Sequence, residues 1–558
     1  MLIDAKTLPA GTAINTDVCV IGTGPAGLTL AHEFVGQGFQ VCLLESGGLK
    51  ADTETQSLCT GETSGDPYSD LDILRRRQCG GTANDWTVQI TPTQKGVRYG
   101  VLEEVDFEQR DWLPYSGWPF NRSHLDPFYV RAQSICKIGP FKYEGTDWQD
   151  SHSPELPLAS KRLSTTVFQF GPSAVFTQEH RDTAIKAKNI TVYLNANAVE
   201  LETDEAAKAV TRVRFVCFPG KQFWVSAKMV ILAAGGLENA RLLLLSDQTQ
   251  KCGLGNQYDL VGRFFMDHPL VRTGDFIPSN RHLFNQTALY DRCRTNNTLV
   301  MGKLSLSNSV MRHEKVLNMS AMLFPRYPLI QSEAIRSLKT ILKEAKSGRL
   351  PEDARKHLRN VNHGVADFTA AAYRILVEKP LRPAIPADLG HGGWSKLKNK
   401  ERKFGYFEVY SQTEQAPDPD NRVTLSEQLD QLGSRKIKLH WQWRNIDIDN
   451  VVRAQAILAE EIESAGLGKL LIDRQGERPF LMTPTTHHHI GTTRMHVDDK
   501  LGVVDENCQV HGISNLFIAG SSVFPTGGYA NPTLTIVALA VRLADHIKKA
   551  IKARGVVL

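Results

Sequence analysis

The chain has 558 residues, 41% hydrophobic and 22% charged, with a net charge of +5. That length exceeds one typical domain, the composition is that of a folded globular protein, and the basic residues are interspersed with acids, which excludes a nucleic-acid partner. No apolar run reaches the roughly 18 residues of a spanning helix, so no membrane span is read, and nine scattered cysteines without a Cys-x-x-Cys pair point to reduced thiols in a cytoplasmic protein.

No signal peptide is evident before the first strand, which begins near Asp17. The first organised unit is strand, turn and helix: Val18 to Ile21, the glycine turn Gly22 to Gly27, then Leu28, Ala31 and Phe34 at helical spacing. A second strand, Val41 to Leu44, ends at Glu45, completing the opening of a doubly wound sheet. Arg75, Arg76 and Arg77 read as a solvated or locally paired patch. Met229 to Ala234 is another buried-strand pattern, followed by helix-forming Glu238 to Leu245. Near the end, Asn515 to Ala519 reads as a strand, Gly520 to Asn531 as a loop and Leu534 to Ala550 as a helix.

The intervening stretches have another texture. The alternation Lys436 to Trp443 predicts an exposed-face strand of an antiparallel sheet. Within residues 332–378, Ser332 to Lys346 carries Ile335, Leu338, Ile341 and Leu342 on one face with Gly348 as a stop, and a second helix follows from Pro351. This insertion is read as a helical hairpin packed on the domain, in preference to a lid or docking surface. The fold class is α/β: a Rossmann-like nucleotide domain from segments 1–89, 186–269 and 481–558, with an inserted α+β substrate domain, 90–185 and 270–480, containing an antiparallel sheet.

In Gly22-Thr23-Gly24-Pro25-Ala26-Gly27 the glycines divide three duties: a tight turn, close backbone approach to pyrophosphate, and helix-to-strand packing. The helix N-terminus favours the negative phosphates. Glu45 follows Gly27 by 18 residues, where a carboxylate can bind ribose hydroxyls and repel a 2′-phosphate. Strand, loop, helix and acid together predict a dinucleotide, with NAD and FAD both open.

Towards the C-terminus, His488 precedes Gly491-Thr492-Thr493-Arg494-Met495, and Asn531 stands in Tyr529-Ala530-Asn531-Pro532-Thr533. With Gly502-Val503-Val504-Asp505, Val510-His511-Gly512, Gly80-Gly81-Thr82 and Ala233-Ala234-Gly235-Gly236-Leu237-Glu238-Asn239, these motifs resemble the glucose-methanol-choline (GMC) oxidoreductase family. The resemblance spans most of the nucleotide domain and implies FAD, with His488 and Asn531 facing the reactive edge of the flavin. Imidazole suits the removal of a hydroxyl proton while hydride leaves for the flavin; Asn531 can orient the same oxygen but takes no proton.

The cofactor-binding set is Gly22, Gly24, Pro25, Ala26, Gly27, Glu45, Gly80, Gly81, Thr82, Asn84, Asp85, Val199, Gly235, Gly520, Ser521, Asn531, Pro532 and Thr533. Several relatives carry a covalently attached histidine where this chain has Asp85, which implies noncovalent FAD. Many have aspartate where Gly520 stands, and the pyranose oxidase branch is similar to this chain in having glycine. His487-His488-His489 invites a metal reading, but adjacent side chains of an extended segment point to opposite faces, so no metal site is expected.

The resemblance implies oxidation of a sugar or glycoside, with oxygen, a quinone or a redox partner protein as electron acceptor. The alternatives are an alcohol, choline or sterol oxidoreductase, or the flavoprotein subunit of a cytochrome-linked sugar dehydrogenase. A disulfide reductase would need a paired-cysteine motif that is missing here. Glu414, His440 and Gln442 are candidates to reach a sugar hydroxyl, weighed against ordinary surface positions on strands.

Overall fold

In a computed structural model, which describes residues 1–90, 94–326, 333–346, 350–351, 353–363 and 392–555, the apolar runs become the strands of a mostly parallel sheet. Val41–Leu44 is buried along its whole length and Ala13–Ile21 along its second half, because parallel strands covered by helices have no solvent face. The order across the sheet is Leu2–Asp4, Ile190–Leu194, Val41–Leu44, Ala13–Ile21 and Lys221–Leu232, all neighbours parallel.

The remaining edge of Lys221–Leu232 is shared. Its first half pairs antiparallel with Val210–Cys217, which continues to Asn197–Thr203, while its end pairs parallel with Leu516–Ile518. Three distant stretches of chain therefore build one sheet. The helix Pro25–Phe34 packs against the C-terminal helix Thr533–Gly555, so the first and last elements of the chain support each other.

The second sheet has 11 strands, and its pairings are antiparallel. Its middle runs Leu270–Pro278, Tyr406–Thr413, Met319–Arg326, Thr298–Leu306, Leu163–Pro172 and Lys95–Tyr99. Register and pleat decide what this sheet presents. Thr166 lies opposite Lys303, Ser305 opposite Ser320, Ser320 opposite Gln412, and Arg98 opposite Phe170, so Arg98, Thr166, Lys303, Ser305 and Gln412 share one face. One hydrophobic core runs through both sheets.

The alternating segment after Lys436 forms the strand Arg435–Trp441, with Ile437, Leu439 and Trp441 buried. It belongs to a third, mixed sheet rather than a purely antiparallel one. Arg422–Leu429 pairs with it antiparallel and Gly61–Gly65 parallel, because the chain before the Arg75 to Arg77 run crosses over to meet it. In the insertion, Glu333–Lys346 and Ala354–His363 pack on each other, with Ser337 Oγ bonded to His357 Nδ1 at 3.0 Å and to Asn360 Nδ2 at 3.1 Å. Ser332, Gly348 and residues 364–378 of the expected insertion lie outside the described residues.

Candidate active site

A long cavity follows the C-terminal ends of the parallel strands, the place where open α/β sheets hold ligands. Gly22 to Ala26 and Glu45 line one part, Arg75 to Arg77 another, and His487 to His489, Gly520, Ser521 and Pro532 the far end. The glycine loop is made by close main-chain packing. A Cβ on Gly22 would lie 2.4 Å from Ala233 O, and one on Gly27 would lie 1.9 Å from Gly22 O. By contrast, Gly24 and Gly235 have nothing within 4 Å of a built Cβ and border the cavity.

Glu45 is buried beside this loop. Its Oε2 accepts from the Thr23 backbone N–H at 3.2 Å and from the Thr23 hydroxyl, and its Oε1 accepts from Gly47 N at 2.7 Å. The carboxylate therefore ties the two strand ends to each other while facing the ligand space. Gly520, with φ +122°, occupies backbone territory that disfavours a side chain, which accounts for glycine at this position.

Arg75 and Arg77 converge on Glu238 at 3.1 and 2.8 Å, and Arg241 joins them. Burial alone would raise the Glu238 pKa, but these arginines outweigh it and hold the carboxyl down at about 2. Nε and Nη1 of Arg75 and Nε of Arg77 remain buried without a hydrogen-bond partner beside the cavity. Such donors suit an anionic ligand. Sequence reasoning saw this run as a paired patch and missed its position on the cavity wall; its nearness to Gly80-Gly81 was the available signal.

Other members of the predicted set stand differently. Gly81 and Thr82 line the cavity, whereas Gly80, Asn84 and Asp85 are not among its lining residues. Asn84 Nδ2 donates to Cys79 O and Gly81 O at 3.2 and 2.8 Å, and Asp85 is held by a two-pronged Arg76 pair at 2.9 and 2.8 Å. Ala196 and Ala198 line the cavity, and Val199 lines a small adjoining one. Gly27 and Thr533 serve the helices that start beside the cavity, Pro25–Phe34 and Thr533–Gly555.

At the far end the structure brings His488 and Asn531 together, with Asn531 Nδ2 3.0 Å from His488 Nε2. Asn531 Oδ1 is buried without a partner. Burial pushes the His488 pKa well below the ordinary imidazole value, and His268 and Arg98 act in the same direction, so the ring is neutral at neutral pH. Around its other nitrogen stand Thr486 Oγ1 at 2.8 Å, His268 Nδ1 at 3.0 Å and Gln412 Nε2 at 3.5 Å.

The shared face of the large sheet closes this end. Arg98 Nη2 donates to Gln412 Oε1 at 3.0 Å, and Gln412 Nε2 donates to Tyr529 O at 2.7 Å. Ser305 Oγ lies 3.3 Å and Thr166 Oγ1 3.5 Å from the Tyr529 hydroxyl. Burial lowers the Lys303 ammonium to about 7; it bonds Thr166 and sits 4.6 and 4.8 Å from the Phe168 and Tyr529 rings.

The three candidates from the inserted segment sit elsewhere. Glu414 is fully buried in a two-pronged pair with Arg110 at 3.0 and 2.5 Å and also accepts from Asn318 N at 2.9 Å, so it is neither a surface residue nor open to a ligand. His440 bonds Ser64 within the third sheet, and the Gln442 main chain bonds Asn421 there. The residue that does reach His488 is Gln412, one pleat away from Glu414, and His268 arrives from a segment that carried no motif in the sequence reading. Among the described residues no group of three or more His, Cys, Asp or Glu side chains could hold a metal ion, and no helix is long and apolar enough to cross a membrane.

Residues 417–540 match the family model described as GMC oxidoreductase, and residues 15–94 match an FAD binding domain. The chain is 22% identical over 609 residues to the fructose dehydrogenase large subunit of Gluconobacter japonicus, covering 97% of this chain and 99% of that one. It is 39% identical over 136 residues to C-glycoside 3-oxidase of Microbacterium trichothecenolyticum, 24% of this chain and 25% of that one. Among solved structures, an FAD-dependent oxidoreductase from Chaetomium thermophilum has a similar fold, with TM-score 0.51 at 16% identity over 96% of this chain and 100% of that one.

Proposed function

As a member of the GMC oxidoreductase family, the chain is an FAD-dependent enzyme acting on CH–OH groups, and we propose that it oxidises a primary or secondary alcohol of a sugar or glycoside, with His488 as base and Asn531 orienting the hydroxyl. The observation that carries this reading is the 3.0 Å approach of Asn531 Nδ2 to His488 Nε2, His488 lining the nucleotide cavity and Asn531 standing next to its lining residue Pro532. The cavity suits the cofactor: its glycines at 24, 235 and 520 leave a cradle, and the unpartnered Arg75 and Arg77 nitrogens offer donors to an anion. Gly22 to Ala26, Glu45, Gly81, Thr82, Ser521 and Pro532 would hold it.

Bound FAD supplies the hydride acceptor. On the protein side, His488 Nε2 receives the hydroxyl proton, which the buried neutral ring is able to do. Asn531 Nδ2–H, which meets His488 Nε2 in this structure, is the donor that orients the substrate oxygen beside it. The face that carries Arg98, Thr166, Lys303, Ser305 and Gln412 sets these polar groups among Phe168, Phe170, Met301 and Met322, and such placed polar groups support a polyhydroxylated substrate over a sterol. The fructose dehydrogenase and C-glycoside 3-oxidase relatives support the same class.

FAD is held noncovalently in this reading, since Asp85 stands where several relatives carry the attached histidine, and nine free cysteines support a cytoplasmic setting. The purified protein is expected to be yellow, to release FAD on denaturation, and to bleach when a sugar or glycoside is added without oxygen. If only aliphatic alcohols bleach it, the sugar assignment fails. Comparing oxygen uptake with dye reduction on the same substrate separates oxygen from a quinone or partner protein as acceptor.

A further inference from the structure

We propose that Thr486 and His268 are positioning residues that hold His488 in one tautomer, with the proton on Nδ1 and the lone pair on Nε2, the nitrogen facing Asn531. This rests on the reading of His488 as the base: a base must present an unprotonated nitrogen to the hydroxyl, and a neutral imidazole has only one.

The donors and acceptors around the ring support this assignment. Thr486 Oγ1 lies 3.0 Å from the carbonyl oxygen of His268 and 2.8 Å from His488 Nδ1. The Thr486 hydroxyl donates its single proton to that carbonyl. The oxygen then faces Nδ1 with a lone pair, and Nδ1 must donate.

Gln412 closes the other side. Arg98 is a donor only and takes Oε1, while Tyr529 O is an acceptor only and takes one N–H of Nε2. The amide is thereby oriented, and its second N–H faces His268 Nδ1 at 3.4 Å. His268 Nδ1 is then an acceptor whose one lone pair faces the His488 Nδ1–H at 3.0 Å as well, and that proton is divided between His268 Nδ1 and Thr486 Oγ1. The His268 proton falls on Nε2, which packs against Gly527, 3.0 Å from where a Cβ there would stand.

The two histidines are held at this spacing by Asp267. Its Oδ1 accepts from His268 N at 2.7 Å and from Thr486 N and His488 N at 3.1 Å each, while Oδ2 accepts from Tyr68 at 2.7 Å and from Thr485. Burial also lowers His268 to about 4, so two neutral rings share one proton rather than repel as two cations. When His488 Nε2 accepts the hydroxyl proton, the Nδ1–H bond to His268 becomes charge-assisted and roughly doubles in strength, so the pair stabilises the imidazolium as it forms. This is the logic of a base oriented by a third group, with a neutral histidine in the place of a carboxylate.

The test is nitrogen NMR of the FAD-loaded protein labelled with 15N-histidine, the His488 signals being identified by their loss in His488→Ala. The wild type is expected to show Nδ1 protonated and Nε2 bare. Thr486→Val and His268→Leu should shift the proton towards Nε2 and slow anaerobic flavin reduction roughly 10- to 100-fold, the scale of lost supporting hydrogen bonds, with Thr486→Ser restoring both. A wild-type His488 protonated on Nε2 overturns the proposal, and so do variants that change neither tautomer nor rate. Should the variants fail to fold, the wild-type spectrum alone decides. If His488→Ala left flavin reduction intact, the base assignment would fall while the tautomer was still read independently.

Discussion

At one end of the nucleotide cavity Gly22 and Gly27 bring main chain against main chain, while Gly24 stands open to the cavity. At the other, His268, Gln412, His488 and Asn531 meet as side chains from four distant segments. The first end depends on the absence of side chains and the second on their placement. The glycine end is consequently intolerant of added atoms yet local in sequence, whereas the histidine end tolerates conservative change but depends on the pairing of two sheets.

Substitutions should separate the two ends by kind of effect. Gly27→Val places carbon atoms against Gly22 O, where even a Cβ would lie at 1.9 Å; the largest expected effect is loss of bound FAD and of soluble protein, read by flavin content. Retention of full flavin would remove the close-packing account of the loop. His488→Ala should instead leave flavin bound and slow anaerobic reduction roughly 10²- to 10⁴-fold, the range for a lost general base. Asn531→Ala is expected to slow the same step less, since in the proposed roles it removes an orienting contact and not the proton acceptor, and stopped-flow bleaching of both variants gives the order.

Acid should strike the histidine end. Burial keeps His268 and His489 down at about 4, below the 6.5 of an ordinary imidazole. As pH falls below 6.5 the unfolded chain takes up protons that the native chain refuses, so this contribution to stability is intact above 6.5 and is lost progressively towards 4. The thermal midpoint should drop over that window, and less steeply in His489→Asn; an equal slope in that variant would assign the loss to other groups. Because His488 is also held well below 6.5, the rate of flavin reduction should stay level as pH is lowered from neutrality through that value. The smallest effect is expected far from both ends: Leu358 is 59% exposed on the insertion hairpin, and Leu358→Ser should change stability by no more than about 0.5 kcal/mol with unchanged flavin reduction.

Much of the fold was legible because its signals are local. Val41 to Leu44 was read at its observed bounds, and Glu238 to Leu245 likewise, since a buried strand and an amphipathic helix each declare their period within a few residues. The mixed third sheet was not legible. Nothing in Lys436 to Trp443 specifies that Gly61–Gly65 will pair with its other edge, because strand partners are chosen by the whole packing and not by either strand alone. Glu414 misled for a related reason: alternation marks a strand's faces but does not say whether both are buried, and a buried Arg110 satisfies the carboxylate.

The sequence by itself determined the glycine loop with its answering acid, Glu45, because residue types and spacing carry that signal locally, and it singled out the two C-terminal segments bearing His488 and Asn531 through their resemblance to a family's motifs. Only the tertiary structure decided what surrounds them. The Arg75 and Arg77 nitrogens on the cavity wall are placed by their pairing with Glu238, and His268, Thr486 and Gln412 gather around one imidazole through strand register and a buried Asp267 that ties two segments. Hydrogen-bond direction, on which the choice of nitrogen depends, is a property of atoms a few ångströms apart in space that the order of residues along the chain does not record.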